Sequence, residues 1–319
     1  MRIIEIIKNA CLWHVTYPID KIINTVIWIL HPKNNVIVIN GWIKHRGKTI
    51  IPNNFGDDIN YPIVEYISGK RVVSYIDSYV SLFRTKNYMC IGSIIDYMAN
   101  KESVVWGSGC LWGDVGKSHE LPKKIFAVRG PLTRQFLIKK GLDCPDVYGD
   151  PAILLPLLYK PRNKKKLYKV GLIPHYIEYD SSSVHDFKKK HGDSVVVVNM
   201  KRYGHWKEIV DLINECEYIA SSSLHGLIIA NAYKIPNVWI RFSDSVLGED
   251  FKYQDYYLGC GMVNMAPLDC RYRGVGFDEI VACCQDYTQP RHNVSGLINV
   301  CPFISEDRKK ELLRVFYDK

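Results

Sequence analysis

Four consecutive aliphatic residues, Val36-Ile37-Val38-Ile39, run straight into the polar turn Asn40-Gly41-Trp42, and this coupling of a short apolar run to a turn recurs along the chain. Runs this short, bounded by turn residues, predict buried strands rather than helices. Further strands are predicted near Arg71 to Tyr75, at Ser103 to Trp106 leading into Gly107-Ser108-Gly109, and at Lys124 to Val128 ending at Arg129-Gly130-Pro131. A helix is predicted to open in Pro52-Asn53-Asn54-Phe55-Gly56-Asp57-Asp58 and continue through Tyr66. Another is predicted over Leu132 to Lys140, with Pro131 in its first turn, where a missing N–H costs nothing, and Gly141 at its exit. After Asp150-Pro151 and the apolar Leu154 to Leu158, the stretch Pro161-Arg162-Asn163 with its following lysines reads as a linker.

The second half restarts the rhythm. Val170-Gly171-Leu172-Ile173 predicts a strand ending at Pro174-His175, followed by a helix from Ser182 or Ser183 and a strand at Ser194 to Val198. A helix over His205 to Glu215 leads to the strand Tyr218-Ile219-Ala220, which ends at Ser221-Ser222-Ser223. A helix starting near His225 stops before Pro236, and Val238-Trp239-Ile240 is the next strand. The stretch from Phe277 to Tyr317 is helical in pattern, broken near Gln289-Pro290, and is read as crossing back onto the first domain. Strand, short loop and helix in alternation imply mostly parallel sheets, so the fold class is α/β. Two domains are expected, 1–160 and 161–319, because 319 residues exceed the usual span of one core. Such domains carry ligands beyond the carboxyl ends of their strands, and two facing one another enclose a cleft.

Hydrophobic residues at 47% and charged residues at 24% exclude a largely disordered chain. Seven Trp and 21 Tyr suit either cores or sugar platforms. A net charge of +9, partly in Lys164-Lys165-Lys166 and Lys188-Lys189-Lys190, suits an anionic substrate or an anionic lipid surface. No zinc-finger spacing or arginine-rich tract points to nucleic acid, which is not expected as a partner. The ten cysteines show no repeated spacing and no Cys-x-x-Cys, and are read as reduced thiols. Glu5 and Lys8 interrupt the first apolar run, so no cleavable leader is expected. Ile22 to Leu30 is apolar but far short of a membrane span; a buried helix is expected, with a helix lying against a bilayer as the alternative.

The candidate chemistry falls at predicted strand ends. Ser221-Ser222-Ser223-Leu224-His225-Gly226 places hydroxyls, a histidine and a glycine where a strand turns into a helix, a geometry suited to phosphate or carboxylate. Arg129, at the end of another strand, offers a forked pair of donors to the same groups. Asn54, Gly56, Asp57 and Asp58 form a third loop-to-helix start, in which one acid is expected to cap the helix and the other to accept a proton or a sugar hydroxyl. Gly107-Ser108-Gly109 permits close backbone approach, and Asp150 and His175 complete the set. No Cys/His cluster suggests a metal, and no Walker loop or Gly-x-Ser-x-Gly elbow is present.

Taken in order, Asn54-Phe55-Gly56-Asp57-Asp58, Gly107-Ser108-Gly109, Val128-Arg129-Gly130-Pro131, Gly149-Asp150-Pro151, Ile173-Pro174-His175 and Ser223-Leu224-His225-Gly226 resemble the polysaccharide pyruvyl transferases. The likeness runs over roughly residues 36 to 305 and includes Pro236 and Phe251-Lys252-Tyr253-x-Asp255-Tyr256. It implies two Rossmann-like domains facing a cleft, similar to the GT-B glycosyltransferases, the first on the acceptor side and the second on the donor side. It also implies phosphoenolpyruvate as co-substrate, no cofactor, a lipid-linked sugar acceptor, and a cytoplasmic location with peripheral contact at the membrane face. Some relatives carry arginine two residues before the histidine of Leu-His-Gly, where this chain has Ser223; Arg129, Arg241 and Lys252 are the candidates to replace it, in that order.

The roles implied are these. His225 is the leading general acid and His175 assists at the phosphate. Arg129 and the Ser222-Ser223 helix start, with Gly226, Arg241 and Lys252, hold the anions. Asp58 or Asp150 orients or deprotonates the acceptor, which Asn54, Gly56, Asp57, Gly107, Ser108 and Gly109 help to bind. The nearest rival is a nucleotide-sugar glycosyltransferase of the same architecture.

Overall fold

A computed structural model describes residues 18–113, 120–161, 165–272, 274 and 276–318. The first apolar run with Glu5 and Lys8, Cys11, and Arg162 to Lys164 of the expected linker lie outside the described residues. The first α/β region begins with a helix over 18–30 (α1). Strand β1 (Val36–Ile39) and a small hairpin, β2 (His45–Arg46) and β3 (Thr49–Ile50), follow. Next come α2 (Phe55–Asp58), α3 (Asn60–Ser68), β4 (Arg71–Ser74), β5 (Asn87–Met89), α4 (Ile95–Met98), β6 (Ser103–Trp106), β7 (Lys124–Ala127), α5 (Pro131–Lys139) and α6 (Leu155–Leu158). Its five-stranded sheet has the order β4-β1-β5-β6-β7 and is parallel throughout.

The second region holds β8 (Tyr168–Ile173), α7 (Ser182–His191), β9 (Val195–Val197), α8 (Trp206–Asn214), β10 (Cys216–Ser221), α9 (Leu224–Ala232), β11 (Asn237–Arg241), α10 (Phe251–Gly259) and β12 (Leu268–Asp269). Its sheet, also parallel, has the order β12-β11-β10-β8-β9. Two parallel-sheeted α/β regions are what the alternating pattern predicts. The chain ends in α11 (Phe277–Gln285), α12 (Val294–Asn299) and α13 (Glu306–Tyr317). The last two return to the first region: the Trp106 indole donates to Leu297 O at 2.8 Å, and Arg308 donates to the carbonyls of Tyr66 and Ile67. One apolar cluster runs from Ile39 and Trp106 through Ile153 to Leu155, Leu227 to Ala230 and Ile173, so the two regions share a core.

Three expectations need correction. The helix expected from Pro52 through Tyr66 is divided at Ile59. Pro62 has no N–H to give Asp58 O, and the Asn60 side chain bonds Asp57 O at 3.0 Å instead. The central strand β5 escaped notice because Asn87-Tyr88-Met89 has no aliphatic run; its buried Asn87 side chain is satisfied by Thr85 O and the Asn100 amide.

The third concerns Ile22 to Leu30, expected to be buried. The helix forms, but with Ile22 at 52%, Ile29 at 61% and Leu30 at 74% exposure. Its inward face carries Asp20 and Asn24 instead, which pair with Arg46 and with the carbonyls of His45 and Asp77. Only Ile27 and Trp28 join the small cluster of Val36, Val38, Val73 and Val80.

Candidate active site

A cleft of about 410 Å³ opens where the carboxyl ends of the two sheets face each other. The loop after β1 brings Trp42 and the start of α2 brings Asn54 and Asp57. The loop after β5 brings Ser93, that after β8 His175 and Tyr176, the start of α9 Ser223 and His225, and α10 Lys252. Six of the sequence-predicted residues therefore line one cavity: Asn54, Asp57, His175, Ser223, His225 and Lys252.

One wall is cationic and hydrogen-donating. Lys252 is buried, its Nζ donating to Leu247 O at 3.0 Å; burial, reinforced by Arg129, lowers its pKa to about 8. Burial, and then the charges of Arg129 and Lys252, lower His225 to about 3, and burial followed by Lys252 and His225 does the same to His175. Both rings are therefore neutral near pH 7. The buried Nε2 of His225 and Nδ1 of His175 have no hydrogen-bond partner among the described residues. Ser223 is the N-cap of α9 but makes no capping bond with its hydroxyl. The backbone turn is held instead by Ser221, whose Oγ accepts the Ser223 N–H at 3.0 Å. The start of α9, its positive end, thus lies at the cavity, which Ser223, Leu224 and His225 line.

The other wall carries the acid. Asp57 is raised to about 7, by burial first and then by the neighbouring charge of Asp58, and its Oδ2 accepts from the Asn54 amide at 2.6 Å. Asp58 points the other way. Its Oδ2 accepts the N–H groups of Asn53 (2.8 Å) and Asn54 (3.0 Å) and the Tyr203 hydroxyl, which is the reach-back that satisfies a helix start. Of the two acids in this turn, Asp58 is the cap and Asp57 faces the cleft, so Asp58, expected to orient or deprotonate the acceptor, is turned away from it. Asp150 is likewise turned away: it caps a short helical turn by accepting the Ala152 N–H at 2.9 Å, and burial raises it to about 7.

Arg129 does not open onto the cleft either. It is fully buried, with Nε 3.1 Å from Asp255 Oδ2, Nη2 donating to Cys110 O at 2.7 Å, and Nη1 donating to Ser93 Oγ. Asp255 is completed by the Thr133 N–H (2.9 Å) and hydroxyl (2.7 Å). The forked donors expected to grip an anion are spent on this internal pair, and Arg129 reaches the cavity only through Ser93 and through its charge. Arg241 is paired with Asp250 in a separate cavity of about 350 Å³ that also holds Glu178, Ser222 and Tyr253. Ser222 supports rather than lines the site: its hydroxyl donates to Glu178 at 2.6 Å and accepts the His175 N–H at 2.9 Å.

The glycines have steric explanations. A β-carbon on Gly56 would fall on the His225 ring, one on Gly109 on the Arg129 guanidinium, and one on Gly226 against Ser221 Oγ. At Gly107 it would strike Pro151, and the φ of +97° there also favours glycine. Ser108 is buried, donating to Gly92 O at 2.8 Å. These residues shape the site and do not line it.

Sequence reasoning passed over Asp255, although it stands in the Phe251 to Tyr256 stretch, and over the rings of Trp42, Tyr97 and Tyr176. Trp42 Nε1 lies 3.2 Å from Tyr97 OH and donates to it. Their only signal was position, Trp42 being in the turn directly after the first strand.

Comparisons with known proteins place the chain in a family. An uncharacterized protein, L143, of Acanthamoeba polyphaga mimivirus is 28% identical over 209 residues, which are 64% of this chain and 69% of that protein. Succinoglycan biosynthesis protein ExoV of Rhizobium meliloti (strain 1021) is 26% identical over 208 residues, 64% of this chain and 60% of that protein. Residues 54–244, which hold Asn54, Asp57, His175, Ser223 and His225, match the model of one family, and the chain belongs to it: the polysaccharide pyruvyl transferases.

Proposed function

We propose that the cleft binds phosphoenolpyruvate and transfers its enolpyruvyl unit to two hydroxyls of one sugar, forming a pyruvate ketal and releasing phosphate. The observation that carries the reading is the division of the cavity into a donor wall (the Lys252 cation, the neutral His175 and His225 rings and the start of α9) and a carboxylate wall (Asp57 with Asn54). The first suits a donor with a carboxylate and a phosphate, and the second suits a hydroxyl that must lose a proton. On this reading the second region is the donor side and the first the acceptor side, in a GT-B-like arrangement. The acceptor is a polysaccharide repeat unit or its lipid-linked precursor at the cytoplasmic membrane face. A relative named for succinoglycan biosynthesis supports the polysaccharide context.

Asp57 takes the proton of the first hydroxyl as its oxygen adds to C2 of the donor, while His225, protonated in the charged complex, gives a proton to C3. A second hydroxyl of the same sugar then attacks C2 and the C2–O bond to phosphate breaks. The second hydroxyl proton leaves with the phosphate, and His225 is reprotonated from Asp57. Lys252 and His175 hold the donor anions, with Arg129 supplying charge from behind Ser93. The arginine replaced by Ser223 is made good by Lys252 and the helix start.

The test is phosphate release from phosphoenolpyruvate with a panel of lipid-linked oligosaccharides ending in galactose, glucose, mannose or N-acetylhexosamine, followed by product mass. Acceptor-dependent release with a product heavier by one pyruvate less one water supports the reading. Absence of phosphoenolpyruvate binding, with a nucleotide sugar bound in its place, overturns it in favour of glycosyl transfer.

A further inference from the structure

Helix α1 is amphipathic with the wrong side inward for a soluble chain. Asp20 and Asn24 are buried at 4% and 0% exposure, while Ile19, Ile22, Val26, Ile29 and Leu30 form an exposed stripe. At 100° per residue these five positions fall within one apolar arc. The stripe is extended by Leu82 and Phe83, exposed at 75% and 59%, which belong to the helical turn Tyr79–Phe83. The two pieces are joined: the Phe83 ring stacks on Trp28 at 5.5 Å between centroids, and the Tyr79 N–H donates to Thr25 Oγ1 at 2.8 Å.

The rim of this patch has one sign of charge. Exposed Lys33, with its Nζ 3.1 Å from the centroid of the Trp28 ring, and exposed Arg84, next in the chain to Phe83, stand beside it. Residues 18–35 and 79–86 contain one acid, Asp20, which is buried against Arg46. An apolar stripe rimmed by cations matches a bilayer interface carrying anionic headgroups, with acyl chains beneath them. No helix among the described residues is long and apolar enough to cross a membrane. A second copy of this chain would bring the same cations against each other.

We propose that α1 and the Tyr79–Phe83 turn form a docking face for an anionic bilayer, with the helix lying in the plane of the headgroups. The inward polar residues tie this face to the site. Asn24 and Asp20 hold the β2–β3 hairpin, which lies in the chain between Trp42 and Asn54 of the cleft. Docking therefore fixes the carboxylate wall relative to the lipid surface. The inference does not depend on which donor the cleft binds.

Sedimentation of the full chain with vesicles of phosphatidylethanolamine and phosphatidylglycerol, against vesicles of phosphatidylcholine alone, tests it without donor or acceptor. Binding is expected to the anionic vesicles and to fall as salt rises. The combined variant Ile22→Gln, Ile29→Gln, Leu30→Gln is expected to lower the partition coefficient about thirtyfold or more. The pair Leu82→Ser, Phe83→Ser is expected to act in the same direction with the melting temperature retained, because these side chains are exposed. Vesicle binding unchanged in both variants would place the contact elsewhere and overturn the proposal. So would absence of binding, whether the chain stays monomeric in sedimentation velocity or forms a dimer that the variants dissolve.

Discussion

The His225 imidazole fills the space that a β-carbon on residue 56 would need, so the first turn of α2 passes the ring only because that residue is glycine. The two groups come from opposite sides of the cleft, 169 positions apart in sequence (225 minus 56). Gly56→Ala must shift either the ring or the turn that carries Asp57. Such overpacking costs about 1–3 kcal/mol of stability, and the displacement costs catalysis as well. We expect kcat for phosphate release to fall about tenfold or more at a temperature where the variant is still folded; equal turnover would show that the ring is not held in a working position.

Asp57 and Asp58 are neighbours with separable roles. Asp57→Asn should lower turnover about a hundredfold or more, the range associated with loss of a positioned base, while leaving denaturant stability almost intact. Asp58→Asn should do the opposite and lower stability by about 1–3 kcal/mol, because two backbone N–H groups and the Tyr203 hydroxyl lose a charged acceptor. Turnover and urea midpoint measured on both variants decide the assignment, and a reversed pattern returns the base to Asp58.

Donor binding should take up protons. His225 and His175 are held near 3 by burial and by the cations beside them, so both rings are neutral at pH 7 in the free protein. A bound donor with several negative charges raises both values toward and past 7. Titration calorimetry at pH 7 in buffers of different ionisation enthalpy should therefore report net uptake, with binding weakening as pH rises. His225→Gln should remove much of the uptake, and its absence from the parent protein would end the role of His225 as acid.

The Arg129–Asp255 pair is buried at 0% exposure on both side chains. Removing one partner strands the other charge, so Asp255→Ala should cost about 3–5 kcal/mol in chemical denaturation. The double change with Arg129→Met should recover part of that loss, and additive losses would contradict a direct pair.

Much of this was legible beforehand. Valine and isoleucine runs ending in glycine, serine or proline marked most of the sheet strands, because parallel strands buried on both faces must be apolar. The ends of those strands meet at one cleft, and His175, His225 and Ser223 share a cavity there with Asn54, Asp57 and Lys252. What stayed hidden was direction. Nothing in Asp57-Asp58 says which carboxylate faces solvent, since one residue of helix turns a side chain by about 100°. Nor does Arg129 announce that its partner lies on α10, and an arginine at a strand end looks the same whether it greets a ligand or an internal aspartate. Helix α1 was misread for a related reason: its aliphatic content suggested burial, and only the bonds of Asn24 and Asp20 show which side is in.

The ties across the cleft carry a mechanical consequence. Phe55 N–H donates to Met200 O at 2.7 Å at one margin, Arg129 meets Asp255 at another, and α12 and α13 strap the far end onto the first region. A vise bolted at three corners does not gape and snap shut. If the cleft takes a small anionic donor and a larger sugar, as proposed, a frame tied at three points makes ordered entry, the small molecule first, the expected kinetic pattern.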